Sequence, residues 1–138
     1  MMSTSVFLIS LLFIQLGSVK NNQLSPEQSA LLNSHNEIRR KVSDCELKGQ
    51  PGSDTPIPDL KWDDELAKQA QELANTCNYH HNNDGLKTKK FDRIGQNLGK
   101  LWKVERAVSM WTDEHENYNF TENSCKPGEN CEHYKQVK

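Results

Sequence analysis

The chain has 138 residues, room for one domain, and its 17 Lys and Arg against 19 Asp and Glu leave a formal net charge of -2. That balance excludes electrostatic capture of nucleic acid, which needs a concentrated basic patch. Only 34% of the residues are hydrophobic, so a core in a domain this small calls for staples such as disulfides.

Val6 to Leu16 reads VFLISLLFIQL, an uncharged run of about 11 residues that matches a signal-peptide core and is too short to span a bilayer. Gly17 and Ser18 supply small residues for cleavage. Residues 1–18 are therefore expected to be a signal peptide, leaving a secreted chain with no transmembrane segment. An uncleaved anchor is the alternative, because no Lys or Arg precedes the run and Leu16 suits cleavage poorly. Export would carry Cys45, Cys77, Cys125 and Cys131 into an oxidising compartment, where disulfides are the default. Asn119-Phe120-Thr121 is a glycosylation sequon.

Ser25-Pro26-Glu27-Gln28 starts a first helix: Ser25 can cap, Pro26 suits the first helical position and Gln28 completes a capping box. Leu31, His35, Ile38 and Val42 follow on one face, and Arg39, Arg40 and Lys41 crowd the last turn. From Cys45 to Asp59, prolines and glycines dictate a loop. A second helix is expected from Asp63, with Trp62 and Ala67 placed as a hydrophobic staple. Its apolar stripe is Leu66, Ala70, Leu73, Ala74 and Cys77. Asn78 to Arg93 is polar and loop-like, and its Lys87, Lys89 and Lys90 read as a solvated run. Ile94 to Leu98 suggests a short extended segment. A third helix is expected from about Val104 to Tyr118, with Val104, Val108, Trp111, His115 and Tyr118 on its apolar face. Clear alternating strands do not follow, so the three helices either pack as a bundle or wait for a sheet.

Glu114 borders the apolar stripe of the third helix, where a carboxylate must either find a partner or face solvent. His80 and His81 lie close after Cys77, and His133 follows Cys131. In a cytosolic chain that spacing would suggest structural zinc; in an exported one, disulfides take precedence. The imidazoles alone, with a nearby carboxylate, could still hold a metal. There is no HExxH helix and no GxSxG elbow, and oxidised cysteines are poor nucleophiles.

Several stretches in this order resemble one superfamily, that of cysteine-rich secretory proteins, insect venom antigens and plant pathogenesis-related class 1 proteins. Leu32, His35, Asn36 and Arg39 resemble its LxxHNxxR helix. Leu60, Trp62, Asp63, Leu66, Ala67 and Ala70 resemble LxWdxxLaxxA, and Cys77 with His81 resembles its CxxxH step. Gly95-Gln96-Asn97-Leu98 resembles GENL, Trp111, Glu114 and Tyr118 resemble WxxExxxY, and Cys131 to Val137 resembles the opening of CGHYTQVVW. The Gly49-Gln50-Pro51 loop and the Cys125 to Cys131 interval resemble venom-allergen-like proteins of parasitic worms most.

The resemblance implies an α+β fold, a three-layer α-β-α sandwich with a central antiparallel sheet. It makes residues 19–138 a partial domain of that type, lacking most of the sheet and ending inside the signature. It also implies a central cavity whose tetrad is His81, Gln96, Glu114 and His133, with His81 and His133 able to hold a divalent metal such as zinc, although none is required. Gln96 stands where the family has an acid and can supply neither charge nor a base. By the same resemblance Cys125 pairs with Cys131, Cys77 pairs with a cysteine beyond Lys138, and Cys45 has no assigned partner. The function so implied is non-enzymatic extracellular binding of a sterol or fatty acid, or of host or defence proteins. A metal-dependent hydrolase using His81, His133 and Glu114 and a non-functional truncated paralogue are the alternatives. With the helices short of their cover, residues 19–138 expressed alone are expected to be partly unfolded or aggregated. A cooperative thermal transition with well-dispersed amide resonances would contradict that.

Overall fold

The structure, a computed structural model, describes residues 23–82, 87–101 and 103–138. The expected signal peptide lies outside the described residues. The elements are α1 (Pro26–Ser43), α2 (Asp64–Asn75), α3 (Val104–Asp113), a 3₁₀ turn (Glu114–Asn117), β1 (Tyr118–Asn119), β2 (Ser124–Cys125) and α4 (Glu132–Val137). The strands form an antiparallel ladder, Tyr118 opposite Cys125 and Asn119 opposite Ser124.

Helix α1 begins as its sequence dictates. Ser25 Oγ accepts from Gln28 N at 3.2 Å, and Gln28 Oε1 accepts from Ser25 N at 2.9 Å, which closes the capping box. Asp63 caps α2 through Oδ1, which accepts from the N–H groups of Glu65 and Leu66. Its other oxygen meets Lys90 Nζ at 2.6 Å. The Lys90 ammonium, and after it the Leu66 N–H, hold the Asp63 carboxyl below its ordinary value.

The third helix differs from expectation. It does not run to Tyr118; it tightens to 3₁₀ at Glu114 and passes into a strand at Tyr118. His115 Nδ1 bonds Thr112 O at 2.9 Å, competing for a carbonyl that an α-helix would offer to the N–H four residues on. The change of conformation turns Tyr118 into the hairpin and leaves it buried.

The core sits where α1, α3 and α4 meet. Val42, Tyr118, Cys131 and Tyr134 form one buried cluster, backed by Ile38, Leu47, Ile57 and Cys125. Ala107, Val108 and Val137 are buried as well, and Tyr134 is 0% exposed. Cys125 and Cys131 are joined in a disulfide that ties β2 to the start of α4. Cys45 and Cys77 are exposed free thiols.

Three polar side chains of the first half hold this assembly. Asn36 is buried and reads the Leu60 backbone both ways: Nδ2 donates to Leu60 O at 3.1 Å and Oδ1 accepts from Leu60 N at 2.7 Å. Arg39 donates to Pro58 O and, through one terminal nitrogen, to the carbonyls of Val137 and Lys138. Gln50, also buried, donates to His115 O and Tyr118 O at 3.1 Å each. The turn that presents it places Gly49 at φ +78°, a conformation that favours glycine.

Helix α2 contributes no buried residue. Its apolar stripe faces a groove whose opposite wall is the stretch from Ile94 to Leu101 with Val104, Ala107 and Trp111 of α3. The expected extended segment at Ile94–Leu98 lies in that wall and joins no ladder among the described residues.

Two measurements test this arrangement. Amides of α2 should exchange with solvent markedly faster than those of α1 and α3, because only the latter pack in the common core; equal protection would contradict it. Burial, aided by neighbouring Tyr118, pushes the Tyr134 phenol up from its usual 10.0 to about 12. The fold thus favours the neutral phenol, and this contribution is complete below pH of about 10 and lost as pH rises through about 12. An ultraviolet titration in which every tyrosine ionises together near its ordinary value would refute the burial of Tyr134.

Candidate functional site

Glu114 stands behind the wall of a polar cavity, bonded to His133, which lines it. The 3₁₀ turn that it opens aims its carboxylate at the N-terminus of α4. Oε1 lies 2.6 Å from His133 Nδ1, and Oε2 accepts from Tyr134 N at 3.1 Å. The pair is mostly shielded, with side-chain exposures of 23% for His133 and 16% for Glu114. Glu114 thereby pairs with an imidazole and takes up an otherwise free N–H at the start of a helix.

This contact dictates a tautomer. With Nδ1 donating to a carboxylate, the neutral His133 ring keeps its proton there and leaves Nε2 as the acceptor. Asn130 Nδ2 also approaches Nδ1, but at 3.4 Å, and the shorter carboxylate contact decides the proton's place. Trp111 stacks on the His133 ring at 6.0 Å between centroids, and its indole N–H donates to Leu98 O.

Facing them is the loop from Gly95 to Leu98. Gln96 Oε1 lies 3.4 Å from His81 Nδ1 and accepts from Asn82 N, while Gln96 Nε2 donates to Asn82 Oδ1 at 2.6 Å. Asn97 Nδ2 donates to His133 O at 3.0 Å, joining this loop to α4. Gly95 allows the approach: a Cβ there would fall 2.3 Å from the Gln136 side chain. His81, Gln96 and His133 line one cavity of about 590 Å³, with Tyr79, Asn130, Glu132 and Gln136 on its wall.

The four residues that the sequence singled out stand in two pairs, Glu114 with His133 and Gln96 with His81, and of the four only His81, Gln96 and His133 line the cavity. The pairs differ chemically. A carboxylate can hold an imidazolium; the Gln96 amide supplies a dipole and no charge. The metal expectation meets a shortage of donors. Zinc takes three or four protein ligands, and no group of three or more His, Cys, Asp and Glu suited to a metal occurs among the described residues. Two imidazoles alone do not fit a resident zinc.

Sequence reasoning passed over several residues on which the site depends. Asn97 and Gln136 carry no chemistry of their own, Asn36 appeared only as part of a motif, and Arg39 appeared there and as a last-turn charge. The helix Glu132–Val137, six residues long, was too short for periodicity to show.

Residues 32–137 match the CAP family, described as the cysteine-rich secretory protein family, and the chain belongs to it. Mouse (Mus musculus) peptidase inhibitor 16 is 36% identical over 80% of this chain and 20% of its own. Venom allergen 5.02 of Vespa crabro is 35% identical over 74% of this chain and 55% of its own. Pathogenesis-related protein 1A1 of Solanum lycopersicum is 32% identical over 99% of this chain and 69% of its own. The chain thus spans a fifth of the mouse protein and little more than half of the hornet allergen. Among solved structures, Schistosoma mansoni venom allergen-like protein 4 superposes with a TM-score of 0.74 at 38% identity, covering 83% of this chain and 72% of the other. The fold is the α-β-α arrangement of that family, with the sheet incomplete among the described residues.

The tautomer of His133 is open to test. In the intact chain, nitrogen NMR should report the neutral ring protonated at Nδ1, and Glu114→Ala should shift the population toward the Nε2–H form. Identical ring-nitrogen shifts in both proteins would show that the carboxylate does not set the tautomer.

Proposed function

We propose that this chain is a secreted, non-enzymatic binding protein, and that the groove beside α2 takes a long-chain fatty acid. The observation that carries the reading is the groove itself. It has a volume of about 750 Å³ and is walled by Leu31, Leu66, Leu73, Ile94, Leu101 and Trp111, among others. Pockets for small ligands span about 300–1,000 Å³ and are mostly apolar with a few fixed polar groups. Lys100 is the one charged residue among the described residues that line it. One cation on an apolar trough suits an acyl chain with a carboxylate head, and favours a fatty acid over an uncharged sterol.

Export is supported by the apolar run Val6 to Leu16. No helix among the described residues is long and apolar enough to cross a membrane. The hydrolase reading finds less support. The cavity has Gln96 in an acid's position, and no Ser, Thr or Cys among the described residues that line it.

The test is displacement of a fluorescent polyene fatty acid from the 138-residue chain. Ala70→Trp, which fills the groove, should weaken binding by at least about tenfold, and Lys100→Glu should weaken it by a similar factor, about 1.4 kcal/mol. Sterol binding should be insensitive to Lys100→Glu, and His81→Ala should leave fatty-acid binding unchanged. Undiminished fatty-acid affinity in Ala70→Trp would remove the groove from the reading, and turnover of an ester or peptide abolished by His81→Ala would replace it with catalysis.

A further inference from the structure

The β1–β2 hairpin, none of whose residues lines the groove, carries a feature that lipid binding does not use. Asn119-Phe120-Thr121 is the chain's one Asn-X-Ser/Thr sequence without proline. It spans the end of β1 and the tight turn that follows. Phe120 O accepts from Asn123 N at 3.2 Å, and Asn123 takes φ +49°, which brings the chain back into β2.

Position within the strand decides what a sugar would meet. Tyr118 points into the core, and Asn119, next in the pleat, points out to solvent. Phe120 and Thr121 are exposed as well. The Asn119 side chain is held by its oxygen, for Oδ1 accepts from Glu122 N at 3.2 Å. That bond leaves Nδ2, the atom to which an N-linked sugar attaches, with no protein partner among the described residues. Beside it Phe120 is 51% exposed; the Lys138 ammonium approaches its ring at 4.9 Å, and the rest of its surface is apolar area on which a sugar ring could rest.

We propose that Asn119 is N-glycosylated in the secretory lumen, and that the glycan covers Phe120 at the hairpin tip. The donor is an oligosaccharide ending in N-acetylglucosamine and carried on a polyprenyl diphosphate. The sugar C1–O bond to the diphosphate breaks and a bond from C1 to Asn119 Nδ2 forms. Nδ2 gives up one proton, the polyprenyl diphosphate leaves, and no group is oxidised or reduced. The proposal rests on the export part of the reading above, since the transferase works only on the lumenal side.

The full chain, translated in the presence of endoplasmic-reticulum microsomes, tests both parts separately. Protease protection reads import, and an endoglycosidase-sensitive rise in mass reads the glycan. The expected result is a protected chain with a single added glycan. Asn119→Gln and Thr121→Ala should abolish it, Thr121→Ser should retain it, and a peptide N-glycosidase, which hydrolyses the side-chain amide, should leave an aspartate at position 119. A protected chain with no rise in mass overturns the glycosylation alone. A rise that persists in Asn119→Gln overturns the assignment to this residue. A chain that stays protease-sensitive overturns export and the glycosylation with it.

Discussion

The two hydrogen bonds of the Glu114 carboxylate, one to the His133 ring and one to the Tyr134 backbone, hold the second half of the molecule together. Without them the 3₁₀ turn would keep only ring and packing contacts such as His115 on Tyr134, and a six-residue helix has too few internal bonds to persist alone. The carboxylate therefore shapes the polar cavity and also seats Tyr134, whose ring fills the space between α1 and the hairpin. The disulfide from Cys125 to Cys131 closes the same corner covalently. Site and core are thus one construction, and a change in either reaches the other.

The sequence displays this fold unevenly. The capping box at Ser25 located α1 and the Trp62 and Ala67 spacing located α2, because helix starts are local patterns written in adjacent residues. The end of α3 was misplaced by five residues, the 3₁₀ turn and Tyr118, since the apolar spacing through His115 and Tyr118 continues past the last α-helical bond. Helix α4 and the two-residue strands escaped altogether: periodicity needs more length than they have. At the site, the four cavity positions came from a likeness of motifs. Their pairing into Glu114–His133 and Gln96–His81 became visible only once α3, α4 and the Gly95–Leu98 loop were placed together. Spacing alone left Glu114 open to reading as an exposed helix acid.

The motif of α1 also divides, on inspection, into different kinds of work. His35 lies 6.1 Å from the Trp111 ring, on the side of α1 turned to α3. Asn36 imitates a strand partner for Leu60, satisfying a donor and an acceptor that a loop would otherwise leave unpaired. These residues resemble a functional signature, yet their contacts are architectural, and none of them lines the groove or the cavity. Family motifs can mark what must be held as much as what reacts.

Arg39 joins α1 to the carbonyls of Val137 and Lys138, across 98 and 99 positions of sequence. A contact of that separation cannot form until nearly the whole described chain has left the ribosome, and closing so long a loop is slow. During synthesis the face of α1 that will receive α4 stays bare. The emerging chain is then most prone to association, and holdase chaperones would have their clearest target there. Arg39, within early reach of the Pro58 carbonyl, waits longest for the two carbonyls at the end of α4.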